Sequence, residues 1–100
     1  MLNVTKSFES GKATYVLEGR LDTFTAPELS KDHKDALDGI TELIFDFKDL
    51  EFITSAGLRT LLAAQKTMDS KQGIMRVLNA NDDIMQVFEA TGFAAILTFE

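Results

Sequence analysis

The run Leu43-Ile44-Phe45-Asp46-Phe47 is almost continuously apolar. A strand with one face in water alternates apolar and polar residues, so an unbroken run marks a strand covered on both faces, as in the middle of an α/β sheet. The flanking sequence supplies what such a strand needs. Leu2, Val4 and Phe8 keep a two-residue period that Lys6 interrupts, and Thr14-Tyr15-Val16-Leu17 is rich in β-formers. With Glu9-Ser10-Gly11-Lys12 between them, they read as a hairpin. Thr25-Ala26-Pro27-Glu28 offers an N-cap, a first-turn proline and a capping-box glutamate. This predicts a helix carrying Ala26, Leu29, His33, Ala36 and Leu37 and ending near Asp38-Gly39.

Beyond the central strand, Leu58, Leu61, Leu62, Gln65 and Met68 mark one face of a second helix that should stop before Gly73. Ile74-Met75-Arg76-Val77-Leu78 is the next strand. Asn79-Ala80-Asn81-Asp82 offers caps for a third helix through Ile84, Val87 and Phe88. Thr91-Gly92 closes it before a last strand, Ile96-Leu97-Thr98-Phe99. The order β-β-α-β-α-β-α-β over residues 1–100 predicts one α/β domain, a mixed sheet of about four to five strands with three main helices. A chain of 100 residues with 45% hydrophobic content can bury a core of its own.

Bulk properties exclude several classes of function. The net charge is -6, and the ten Lys and Arg residues are scattered singly rather than gathered in a basic stripe, which argues against nucleic-acid binding. The longest apolar run, residues 93–97, is far short of the roughly 20 needed to span a bilayer. The start, Met-Leu-Asn-Val-Thr-Lys, lacks the regions of a signal peptide, so a cytoplasmic location is expected. There is no cysteine. No H-E-x-x-H, G-x-S-x-G, P-loop or paired-carboxylate pattern occurs, so neither catalysis nor a cofactor or metal is expected. His33, the single histidine, reads as a partly buried helix residue rather than a phosphocarrier site.

The informative segment lies where the central strand gives way to the second helix. Thr54 and Ser55 fall at that helix N-terminus, where a hydroxyl can cap orphan N–H groups and can also be phosphorylated. Thr54 suits the cap, with Ser55 as the first helical residue. Gly57, in the first turn, costs about 1 kcal/mol relative to alanine and implies a close approach to the backbone. The loops at residues 20–25 and 49–55 both follow strands and should meet at one sheet edge. Asp22, Phe24, Thr54 and Ser55 would then share one surface. Asp22 either orients the Ser55 loop, contacts a partner or sits near a kinase's metal and nucleotide during transfer, or closes its own turn. Phe24 either anchors a partner or packs under the first helix. Arg59, one turn into the second helix, faces solvent, a partner carboxylate or a phosphate.

Three of these motifs together resemble the STAS domain (sulfate transporter and anti-sigma factor antagonist), in particular the small bacterial anti-sigma factor antagonists. They are Gly19-Arg20-Leu21-Asp22 followed by Thr25-Ala26, the loop Leu50-Glu51-Phe52-Ile53-Thr54-Ser55-Ala56-Gly57-Leu58-Arg59, and Gly92-Phe93. The resemblance implies that Ser55 is phosphorylated by an anti-sigma factor that is also a serine kinase, and dephosphorylated by a serine phosphatase. The unphosphorylated form would bind the anti-sigma factor through Asp22, Thr23, Phe24, Thr54, Ser55, Gly57, Leu58 and Arg59, and the phosphorylated form would let go. The chain would regulate transcription indirectly; the residues themselves leave its oligomeric state open, with a monomer the expectation. It departs from the family in two places: Thr54 stands where many members have aspartate, and Ala56 replaces a common second hydroxyl. Thr54 is the second possible acceptor. Two other readings are a non-switching STAS-like subunit of a transport or signalling complex and a phosphocarrier of a sugar-uptake system.

Overall fold

The structure is a computed structural model that describes residues 2–29 and 39–100. The predicted hairpin is present. Strand β1 (Leu2–Glu9) pairs antiparallel with β2 (Lys12–Leu21), with Glu9 opposite Lys12. Only Ser10 and Gly11 lie between them, and both have positive φ, 48° and 81°. That combination matches the right-handed twist of the strands it joins, and glycine reaches it without a steric penalty.

Strand β3 (Glu42–Ile53) runs parallel to β2 on one side and to β4 (Ile74–Leu78) on the other, giving a mixed sheet in the order β1-β2-β3-β4. The apolar run 43–47 is therefore interior to the sheet. Its register neighbours point to the same face, so Ala13 lies beside Leu43 and Tyr15 beside Phe45. These four are fully buried, as are Leu17 and Phe47. They join Leu58, Leu61, Ala64 and Met68 of the Ser55–Ser70 helix, and Ile84 and Phe88 of the Asp82–Thr91 helix, in one core cluster. An aromatic row crosses this core, from Tyr15 to Phe45 (5.6 Å between centroids), Phe47 (6.5 Å), Phe88 (6.5 Å) and Phe99 (4.8 Å). The other sheet face is more open. There Ile44 is buried, Thr14, Val16 and Asp46 are half-buried, and Arg76 bridges Glu42 and Glu100 at 3.2 Å each.

Two expectations need correction. The stretch 49–53, read as loop, is strand: β3 continues beside β2 through two register shifts, with Glu18 opposite Asp49 and Leu21 opposite Ile53. Each shift places an extra residue in β3. Bulges of this kind break the two-residue period, which is why Leu50 and Ile53 both reach the core and why no alternation is visible in the sequence. The last strand, expected at 96–99, is a single bridge between Val77 and Phe99 after a 3₁₀ turn at Phe93–Ala95. In that turn the N–H groups of Ile96 and Leu97 donate to Phe93, so the chain is still coiled where the strand should begin.

Other features agree with the sequence. Gly39 and Gly92 have φ of 79° and 82°, and Gly92 closes the Asp82–Thr91 helix, whose other end is capped by Asn81 accepting from the N–H of Ile84 at 2.8 Å. Helical residues begin at 26, after Thr25. The expected capping box does not form as drawn, because the Thr25 hydroxyl turns back toward residues 20–22 instead of capping the helix. His33, Ala36, Leu37 and Asp38, and with them the rest of that predicted helix, lie outside the described residues.

Candidate functional site

The ends of β2 and β3 place two loops side by side. Leu21 and Ile53 are register partners, and the N–H of Thr54 donates to the Leu21 carbonyl at 3.0 Å. Residues 22–25 and 54–55 therefore leave the sheet from one point, while Arg20 and Leu21, expected in the first loop, are the paired end of β2.

The 22–25 loop is held by its own hydrogen bonds. The Asp22 carboxylate accepts from the N–H of Phe24 (2.9 Å) and of Thr25 (3.0 Å), while the Thr25 hydroxyl accepts from the N–H of Asp22 (2.8 Å) and lies 2.9 Å from the Arg20 carbonyl. The Thr25 N–H holds the Asp22 carboxyl below the ordinary aspartate range, with partial burial opposing and Phe24 N–H assisting. Asp22 thus closes its own turn. Among the described residues no hydrogen bond joins Asp22 to Ser55. Thr23 is exposed at the tip, and Phe24 is 86% exposed, an aromatic ring left almost wholly in water. Phe24 does not pack under the first helix.

The second loop delivers the hydroxyls. Thr54 is the N-cap residue of the Ser55–Ser70 helix, with extended backbone, but its side chain makes no capping bond. Its Oγ1 is enclosed and has no partner among the described residues. Ser55, the first helical residue, is exposed. The first turn contains no acidic side chain, so the positive end of this helix is compensated neither by a cap nor by a carboxylate. The Ser55 side chain is thus open to solvent, while the Thr54 hydroxyl is already inside.

Gly57 and Leu58, expected at a partner surface, are buried; Leu58 is 2% exposed. They support the site from beneath. The close approach implied by Gly57 comes from within the fold, since a Cβ there would stand 2.8 Å from Ile53 Cγ1 and 2.9 Å from the Leu21 carbonyl oxygen. Arg59 is exposed on the helix, one turn beyond Ser55.

The sequence reading missed Arg20 and Phe52. The Arg20 guanidinium lies over the Phe52 ring, 5.3 Å from its centroid, and both residues are exposed just before the buried pair Leu21 and Ile53. The available signal was their matching position, each one residue before an apolar residue that enters the core. The bulges hid it.

The family model of the STAS domain matches residues 3–100, and the chain belongs to that family. It is 27% identical over 96 residues to a Bordetella bronchiseptica protein, BtrV, named as an anti-sigma factor antagonist, covering 95% of this chain and 83% of that one. Its fold matches an anti-sigma factor antagonist from Mycobacterium paratuberculosis with a TM-score of 0.87 at 21% identity, over 99% of this chain and 85% of that one. It also matches the antagonist SpoIIAA in its unphosphorylated form, with a TM-score of 0.76 at 20% identity over 87% of this chain and 82% of that one. The match to phosphorylated SpoIIAA of Bacillus has a TM-score of 0.78 at 19% identity, over 98% and 91%. No helix among the described residues is long and apolar enough to cross a membrane.

Proposed function

We propose that this chain is an anti-sigma factor antagonist controlled by phosphorylation of Ser55. In the free-hydroxyl state its Ser55 edge binds an anti-sigma factor that is also a serine kinase, and so releases a sigma factor in the cytoplasm. Phosphate on Ser55 ends the complex, and a serine phosphatase restores it. The chain itself is ligand and substrate in this cycle and catalyses no step.

The observation that carries this reading is the placement of Ser55. It is an exposed hydroxyl on the first residue of an uncapped helix, beside a loop that holds Phe24 86% exposed. Exposed aromatic rings are efficient anchors when a partner covers them. A phosphate carrying roughly -1.5 to -2 charge at that edge cannot be covered by an apolar partner surface without a large desolvation cost. The phosphate does not endanger the fold, because a helix N-terminus with no first-turn carboxylate favours an anion. The existence of SpoIIAA in phosphorylated and unphosphorylated forms of similar fold supports the same reading.

Phosphosite mapping tests the assignment. Protein recovered from its native cells in several growth states should carry phosphate on the peptide spanning residues 54–59, localised by fragmentation to Ser55. Phosphate confined to Thr54, or a Ser55 that stays unmodified in every state while the partner's abundance changes, would overturn it.

A further inference from the structure

We propose that Arg59 is the built-in counter-ion for a phosphate on Ser55, so that phosphorylation withdraws this arginine from the partner at the same moment as it adds negative charge. The proposal deepens the reading above and rests on it for the use of the pair, though not for its physics.

Ser55 and Arg59 stand one turn apart on a regular helix, and both are exposed. The bond from Leu58 N–H to the Thr54 carbonyl (3.0 Å) opens the backbone ladder of that turn. Side chains at this spacing have Cβ atoms about 5–6 Å apart, within reach of a guanidinium. The other residues at one-turn spacing from Arg59 are Ala56, Leu62 and Ala63, which carry no charge. Ser55 is thus the one polar neighbour along the helix.

The three arginines of the chain differ in what occupies them. Arg20 lies on the Phe52 ring, and Arg76 is shared by Glu42 and Glu100. Arg59 makes no ion pair among the described residues. It is available to a partner as long as Ser55 is a hydroxyl.

Phosphoryl transfer changes that. Ser55 Oγ attacks the γ-phosphorus of a nucleoside triphosphate, the bond from that phosphorus to the β-bridging oxygen breaks, the nucleoside diphosphate leaves and the hydroxyl proton passes to solvent. The product carries strong acceptor oxygens one turn before Arg59. An anion placed N-terminal to a cation at this spacing is the favourable order, and the phosphate itself would sit at the positive end of the helix. The planar guanidinium can donate two parallel N–H bonds to a phosphate, which a lysine could not reproduce.

The test places phosphoserine at position 55 during synthesis, without any kinase, in the otherwise unaltered chain and in the Arg59→Gln variant. The phosphate's second ionisation is then followed by phosphorus-31 NMR. Arg59 should lower the apparent pKa by roughly 0.3 unit or more, about a twofold change in the acid dissociation constant, relative to the glutamine variant. The difference should shrink in about 1 M salt. Coincident titration curves, with unchanged helical circular dichroism in both proteins, would overturn the pairing. That outcome would leave phosphorylation of Ser55 standing, whereas an unmodified Ser55 in the mapping experiment would overturn the switch and leave the pairing intact.

Discussion

Phe88→Ala is expected to lower the unfolding free energy by roughly 3–5 kcal/mol, while Phe24→Ala, the same chemical change, should stay within about 0.5 kcal/mol of the parent. The contrast follows from position. Phe88 is 0% exposed, stacks on Phe47 at an interplanar angle of 12°, and meets Phe99 edge-on at 4.8 Å. It fastens both the Asp82–Thr91 helix and the C-terminal bridge to the sheet. Removing the ring leaves a cavity that β3 cannot collapse into, because β3 is fixed by hydrogen-bonded strands on both sides. Phe24 is 86% exposed and leaves no cavity when truncated. Urea unfolding of the two variants measures the difference. A loss below about 1 kcal/mol for Phe88→Ala would mean that this helix is not packed as described.

Gly57→Val should destabilise the domain by roughly 1–3 kcal/mol, and Gly57→Ala by less but in the same direction. Alanine in an ordinary helix position gains about 1 kcal/mol over glycine, so the sign of the alanine result is informative. Here its Cβ would meet Leu21 Cγ and Ile53 Cγ1 at 2.8 Å and the Leu21 carbonyl oxygen at 2.9 Å. That oxygen cannot easily retreat, since it accepts the Thr54 N–H on which the approach of the two loops depends. Urea midpoints give the stability change, and the amide NMR shifts of Thr54 and Ser55 report whether the site moves with it. Stabilisation by Gly57→Ala would show that the helix does not sit this close to β2.

What the sequence made legible is what local chemistry dictates. Ser10-Gly11 specified a tight hairpin, Gly92 the end of a helix, Asn81 the start of one, and the apolar run 43–47 the interior of the sheet. The convergence of Asp22 and Ser55 was also legible, because loops after parallel strands must leave from the same edge. What escaped depends on pairing at long range. The bulges that carry β3 on to Ile53 exist only relative to β2, and no alternation in residues 48–53 announces them. Gly57 announced a close approach, but only the packed structure identifies Leu21 and Ile53 as the neighbours and places Gly57 beneath the site. Likewise Thr25 had the composition of a helix cap, and the stronger claim on its hydroxyl came from the Asp22 turn. Arg20 and Phe52 pair across strands whose register the sequence does not reveal.

The proposed switch on Ser55 is tested most directly by measuring one partner's affinity for two forms of the chain. The partner is the protein that the unmodified chain captures from an extract of its native cells, expected to be an anti-sigma factor, and the two forms carry serine or phosphoserine at position 55. Tight binding of the serine form, loss of binding of the phosphoserine form and a similar loss with Ser55→Asp are expected. Equal affinity for both forms, in proteins of equal stability, would contradict it and leave Ser55 as no more than the first residue of a helix.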